Sequence, residues 1–198
     1  MSSIILASGS KTRQAMLRQA GLEFQVEVSH VDEDQVKASA LEHKATALSL
    51  AETLAELKAQ QVSMRYPDSI VLGCDQTLDC QGQLFDKPKD LANAHGHLMA
   101  FSGKTHSLWS SVVAVRGGQR LWHFNDEARL TVRPLSQEYI TWYLEQTGES
   151  ILSSVGAYQL EGLGAQLFSK IDGNYFTILG LPLLAVLDFL RNQGAIPK

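Results

Sequence analysis

Short apolar runs alternate with helix-period stretches along the whole chain, and this alternation constrains the fold more than any other feature. Residues 4–7, Ile-Ile-Leu-Ala, are too few for a helix and read as a buried strand. They stop at Ser-Gly-Ser, and a helix is predicted over 11–20, with Ser10 as its N-cap and Gly21 as its stop. Phe24, Val26 and Val28 alternate with polar neighbours, the period of a half-buried strand. An acidic loop, HVDEDQVK, follows at 30–37. Leu41, Ala45, Leu48, Ala51 and Leu54 then recur every three or four residues, which predicts one long helix over 38–64, ended by Tyr66-Pro67-Asp68. Residues 69–75, SIVLGCD, read as a strand that ends in a carboxylate. A hairpin is predicted over 77–86, turning at Gln81-Gly82, and a helix over 91–100. Strands fill 106–135 around a Gly117-Gly118 turn, and a Ser-capped helix covers 136–146. A strand, a turn at Asp172-Gly173 and a return strand are expected over 165–183, before a closing helix at 183–191. Helical crossovers and hairpins occurring together imply an α/β fold with a mixed sheet flanked by helices.

A chain of 198 residues suits one large domain or two small lobes sharing a sheet. Its net charge of −4 provides no general attraction to nucleic acid or to an anionic membrane, so neither is an expected partner. Any anion binding must therefore come from a local gathering of positive groups. Two cysteines, Cys74 and Cys80, do not make a disulfide framework and read as reduced thiols on or beside strands. No apolar run approaches the ~20 residues of a membrane helix, and no basic stretch leads into a long apolar one. A cytoplasmic location is the expectation.

The first strand-to-helix junction invites an anion. Small residues at a helix start leave backbone N–H groups and the positive end of the helix dipole accessible. Ser8 and Ser10 add hydroxyls, and Arg13 adds a planar fork that matches phosphate oxygens. An ordinary capped helix with a solvated arginine would show the same residues. Asp75 reads either as a general base or metal ligand, or as the nucleophile of a haloacid-dehalogenase-type phosphatase. The second reading needs Asp-x-Asp-x-Thr, whereas Asp79 comes two positions too late in Asp75-Gln76-Thr77-Leu78-Asp79. Taken singly, Lys58, Lys87 and Glu33 each read as solvated surface residues. Lys87 precedes Pro88 and is biased toward an extended backbone. His95 and His97 sit one residue apart on a helical pattern, where their side chains diverge, so they are not expected to form a metal pair. Glu161 stands in an apolar, glycine-rich stretch, where a carboxylate is expected to need a partner.

Read in order, LASGSKTRQAML, VDED around Glu33, LSLAETLAELKA, VLGCDQTL, DKP, FSGKTHSLWSSV, GAYQLEGLGAQLF and IDGNYFTILGLPL resemble the Maf family of nucleoside triphosphate pyrophosphatases. The resemblance covers essentially the whole chain, residues 1–198, as a single domain of that kind. It implies an α/β fold with a long mixed sheet, two lobes around a central cleft, and, in many members, a homodimer. It also implies cleavage of a nucleoside triphosphate between its α and β phosphates with a divalent cation, Mg²⁺ or Mn²⁺. The family's proton acceptor falls on Asp75, its phosphate-facing positions on Ser8, Arg13, Lys58 and Lys87, and Glu33 joins Asp75 as a carboxylate for the metal. At the positions that discriminate the base, the dTTP- and UTP-cleaving branch carries Thr and Gln, and the 7-methyl-GTP branch carries Gln and Glu. This chain has Gln76 and Glu161. A carboxylate can accept two N–H donors of a guanine edge, and the positive charge of 7-methylguanine favours it further. Thr12 departs from both branches, which place Arg or Trp there, and Ser153-Ser154-Val155 departs from the common Asp-Lys-Ala. The family's association with septum formation implies a second reading, a nucleotide-binding regulator of cell division without turnover.

Overall fold

The computed structural model describes residues 3–198. Its elements, in order, are β1 (Ile4–Ala7), α1 (Lys11–Gln19), β2 (Gln25–Val26), α2 (Glu33–Glu42), α3 (Ala47–Ser63), β3 (Ile70–Cys80), β4 (Gln83–Phe85), α4 (Leu91–Phe101), β5 (Thr105–Arg116), β6 (Gln119–Val132), α5 (Gln137–Thr147), β7 (Phe168–Asp172), α6 (Tyr175–Ile178) and α7 (Leu183–Asn192). The strands form a seven-stranded sheet in the order β2-β1-β3-β5-β6-β7, with β4 beside β3. β1 pairs in parallel with β2 and β3, while β3–β4 and β6–β7 are antiparallel. The sheet is therefore mixed, as the coexistence of crossovers and hairpins required.

The chain divides into two compact units. The first comprises residues 1–76, 110–126 and 175–198. Here the two-residue period of the strands separates two apolar layers. Ile4, Leu6, Ile70, Leu72 and Cys74 face one way and pack with Met16 and Leu17 of α1 and Val186, Phe189 and Leu190 of α7. Ile5, Ala7 and Val71 face the other way, onto Ala55, Ala59 and Val62 of α3. Nearly every one of these side chains is fully buried, so β1 and this part of β3 are sandwiched strands, apolar on both faces.

Three sequence expectations are corrected here. The predicted helix over 38–64 is two helices, because Lys44 takes a left-handed backbone (φ 51°) and Thr46 then caps α3 by accepting from Ser49 N at 3.1 Å. The acidic loop is the first turn of α2. Asp32 caps it through Gln35 N at 3.0 Å, and Glu33 and Asp34 sit where the helix dipole favours negative charge. The return strand expected after Gly173 is instead the short helix α6. The turns at Gln81-Gly82 and Gly117-Gly118 occur as expected, each with positive φ. Cys74 and Cys80 both lie in β3, buried and unbridged.

The second unit comprises residues 77–109 and 127–174. Its helices α4 and α5 pack on each other and on the 3₁₀ turns that follow α5. The His97 ring packs edge-on against Phe85 at 5.2 Å. His106, 1% exposed, is enclosed by Phe101, Tyr158 and Phe168, and its Nε2 meets the Tyr158 hydroxyl at 2.8 Å. Burial pushes the imidazole down to about 4. The unfolded chain, near the ordinary 6.5, thus binds more protons than the folded one between these values. Stability that depends on a neutral His106 is complete above about pH 6.5 and is lost as pH falls toward about 4, by about 3 kcal/mol in all. Urea midpoints measured from pH 7 to pH 4 should fall accordingly. The fall should flatten in a His106→Phe, Tyr158→Phe double variant, in which both partners are apolar. An unchanged slope in that variant would remove His106 from the acid response.

Candidate active site

Eight of the residues singled out in the sequence, Ser8, Ser10, Thr12, Arg13, Glu33, Lys58, Asp75 and Gln76, lie in the first unit. β1 ends its pairing with β3 at Ala7 opposite Gly73. β3 itself continues to Cys80, so Asp75 does not end a strand, as the sequence suggested. It stands in mid-strand, just past the point where its neighbour stops. From Ser8 the chain turns into α1, whose N-cap Ser10 accepts from Arg13 N at 3.4 Å.

Arg13 is buried. Its Nε donates to Gly180 O at 2.7 Å, and its Nη1 donates to Cys74 O at 2.9 Å and to Ser8 Oγ at 3.2 Å. The guanidinium thus ties the β1–α1 junction to β3 and to the turn after α6. With these donors committed inward, the remaining edge of the fork is what Arg13 can offer an anion. Thr12 is half-buried on the same first turn.

Lys58 corrects the surface reading most clearly. It lies on the face of α3 that packs against the sheet, and its side chain is only 10% exposed. Its ammonium bridges two carboxylates, Asp75 Oδ1 at 2.5 Å and Glu33 Oε1 at 2.7 Å. Gly73 makes this approach feasible. A β-carbon there would lie 2.0 Å from Ala55 O and 2.7 Å from Ala59 N, so α3 rests directly on the β3 backbone two residues before Asp75. Burial pushes the Asp75 carboxyl above the usual carboxylate range, against the opposing pull of Lys58 and Arg13. A carboxylate held this way is a stronger base than one in water.

Among the described residues no three His, Cys, Asp or Glu side chains gather as a ready metal cluster. Glu33 and Asp75 nevertheless converge on one centre of positive charge and offer only oxygen. Two carboxylates completed by water and substrate phosphates are a common setting for Mg²⁺, so these residues fit a hard divalent cation.

Gln76 is half-buried, next to Asp75 in β3. Its Nε2 donates to Ser110 Oγ, Thr177 O and Ile178 O at 2.9, 3.0 and 3.1 Å. None of these partners was anticipated. Nothing local marks them, since they lie 34 to 102 residues away in the chain. Asp79 is used elsewhere. Its Oδ1 accepts from Gly82 N at 3.1 Å and closes the β3–β4 turn, which leaves the dehalogenase-type reading without its second aspartate.

Lys87 and Glu161 belong to the second unit. Lys87 is exposed in the segment between β4 and α4. Glu161 is exposed in the turn before residues 163–167, so water solvates it, and the expected need for a buried partner does not arise.

Comparisons with known proteins agree on what the chain is similar to. Residues 3–193 match the family described as Maf-like protein. A nucleoside triphosphate pyrophosphatase of Paramagnetospirillum magneticum is 53% identical over 97% of this chain and 99% of its own. A 7-methyl-GTP pyrophosphatase of Rhizobium etli is 49% identical over 98% and 97%. Among solved structures, a nucleoside-triphosphatase, dITP/XTP pyrophosphatase, of Mycobacterium abscessus superposes with a TM-score of 0.50 over 96% of this chain and 97% of that one. At 15% identity that last likeness concerns the fold alone. No helix among the described residues is long and apolar enough to cross a membrane.

Proposed function

This chain belongs to the Maf family, and we infer that it is a nucleoside triphosphate pyrophosphatase releasing a nucleoside monophosphate and pyrophosphate. The observation that carries this reading is the buried ammonium of Lys58 held between Asp75 and Glu33, in the same unit as the Ser8–Ser10 helix start and Arg13. Positive groups and an acidic pair together suit a reaction on a polyanion, where catalysis rests on positioning and charge.

In the mechanism that follows, Asp75 accepts a proton from water as the water oxygen bonds to the α phosphorus. The bond from that phosphorus to the α–β bridging oxygen breaks, and its electron pair leaves with pyrophosphate. Lys58 has three N–H donors, two of which face the carboxylates, so one more can reach a phosphate oxygen. The N–H groups opening α1, the Ser8 and Ser10 hydroxyls and the outer edge of Arg13 face the other oxygens. Glu33 and Asp75 would hold a divalent cation, which when bound neutralises phosphate charge and steadies the leaving group. On the resemblance, Lys87 adds a point charge for the phosphates, and Glu161, Gln76 and Thr12 contact the base.

The test is a nucleotide panel with Mg²⁺ in ¹⁸O-water. Monophosphate carrying the ¹⁸O, with unlabelled pyrophosphate, is the expected pair. Orthophosphate as first product, or nucleotide binding without any product, would overturn the reading, the latter in favour of a binding regulator. We further propose a guanine-type substrate, 7-methyl-GTP among the candidates, because Gln76 and Glu161 match that branch and the Rhizobium etli relative carries that name. Glu161→Gln should then cost guanine-type nucleotides about 1–3 kcal/mol in kcat/KM and pyrimidine ones little. Equal losses on both would remove Glu161 from base contact.

A further inference from the structure

Gln76 is held by a chain of hydrogen bonds that starts far from it. Asp126 Oδ2, at the end of β6 that lies in the first unit, accepts from Thr177 Oγ1 at 2.5 Å. Thr177 is fully buried, and its main-chain oxygen accepts from Ser110 Oγ at 2.7 Å and from Gln76 Nε2 at 3.0 Å. Ser110, also fully buried, accepts in turn from Gln76 Nε2. Three neighbouring strands, β3, β5 and β6, thus each send one polar side chain to the short helix α6. Gln76, Ser110 and Asp126 stand at three of the four places where the chain leaves the first unit or re-enters it, and Thr177 stands two residues past the fourth, Tyr175.

The network determines which way round the Gln76 amide sits. Two of its three neighbours are main-chain carbonyls, Thr177 O and Ile178 O, which can only accept. A flipped amide would set its own oxygen against both and leave them unsatisfied. The amide nitrogen has two hydrogens and three acceptors around it, so no donor remains for a ligand. The carbonyl oxygen Oε1 lies toward Gly180, 3.6 Å from where a β-carbon would stand. That same point is 3.3 Å from Arg13 Nη2. The turn that clamps Gln76 is therefore also the turn whose carbonyl holds Arg13 Nε.

Resting on the reading of this chain as a nucleotide pyrophosphatase, we propose that Ser110, Thr177 and Asp126 are positioning residues that lock Gln76 as an acceptor-only group beside the base. Gln76 then rewards a nucleotide whose base brings an N–H donor to it and cannot serve one that brings only acceptors. The three residues touch no reacting atom; they act through Gln76 alone.

Thr177→Val keeps the shape of the side chain and removes the bond to Asp126, and Thr177→Ser keeps the bond. On the panel above, Thr177→Val and Ser110→Ala should each lower kcat/KM for the best nucleotide about ten-fold, chiefly through KM. They should also shrink the ratio of best to worst nucleotide by a similar factor, and Thr177→Ser should restore both. In a Gln76→Ala background, Thr177→Val should add no further loss, as required of residues acting in one chain. Independently of turnover, the Gln76 side-chain NH₂ signals in ¹⁵N-edited NMR should exchange slowly with water in the wild type and quickly in Thr177→Val. Uniform losses across nucleotides, additive losses with Gln76→Ala, or an amide that exchanges quickly in the wild type would each overturn the proposal. If Thr177→Val unfolds, Ser110→Ala and the wild-type NMR measurement still decide it. Failure of the wild type to yield pyrophosphate from any nucleotide would instead sink the enzymatic reading and leave the amide measurement standing.

Discussion

Asp75→Asn should lower kcat by about 10²–10⁴-fold, the range associated with loss of a general base. The substitution keeps size and shape, and Lys58 retains Glu33 as a partner at 2.7 Å, so no buried charge is stranded. Removing a carboxylate that burial pushes upward should leave folding intact. Binding of a non-hydrolysable α,β-methylene triphosphate should therefore survive while turnover does not. A kcat within about three-fold of wild type would remove Asp75 from the proton-accepting role. Lost binding together with lost turnover would instead make it a substrate-holding group.

The largest stability effect is expected at Gly73. Its backbone is extended, so an alanine meets no conformational strain, only atoms. The added carbon would sit 2.0 Å from Ala55 O, 2.7 Å from Ala59 N and 2.8 Å from Ala59 Cβ. Two of these are main-chain atoms in the middle of α3 and cannot move alone. The helix must lift, and the apolar layer of Ile5, Ala7, Val71, Ala55, Ala59 and Val62 must open with it. Overpacking of this kind costs about 3 kcal/mol or more, which in a chain of this size is a fall of about 6–12 °C in Tm. Gly96→Ala is the control. It lies within α4 with nothing near its β-carbon position, and it should leave Tm unchanged or raise it slightly. Gly73→Ala should also lower activity in the fraction that folds, because lifting α3 draws Lys58 away from Asp75. A Tm within about 2 °C of wild type would mean that α3 and β3 are not in the close contact described.

The helix start at Ser10, the hairpin turns and the alternating apolar strands were legible because each is settled within a few residues. The acidic first turn of α2 was read as a loop, because the charge of Asp32, Glu33 and Asp34 suggested a loop more strongly than their capping pattern suggested a helix. The break at Lys44–Thr46 was masked by apolar spacing that runs through it almost in phase. Nothing in the local sequence marks Gly73 as the place where α3 rests on β3.

By itself the sequence determined the alternation of strands and helices, the mixed sheet, the capped helix start at Ser10 and the family to which these motifs belong. Such features depend on backbone geometry and residue type over short spans, where few alternatives compete. Only the tertiary structure decided that Lys58 leaves the surface to sit between Glu33 and Asp75, and that Gln76 is gripped by Ser110 and Thr177. Both are long-range arrangements of polar groups, and a polar group is buried only where the fold brings it a partner, which no stretch of sequence specifies alone.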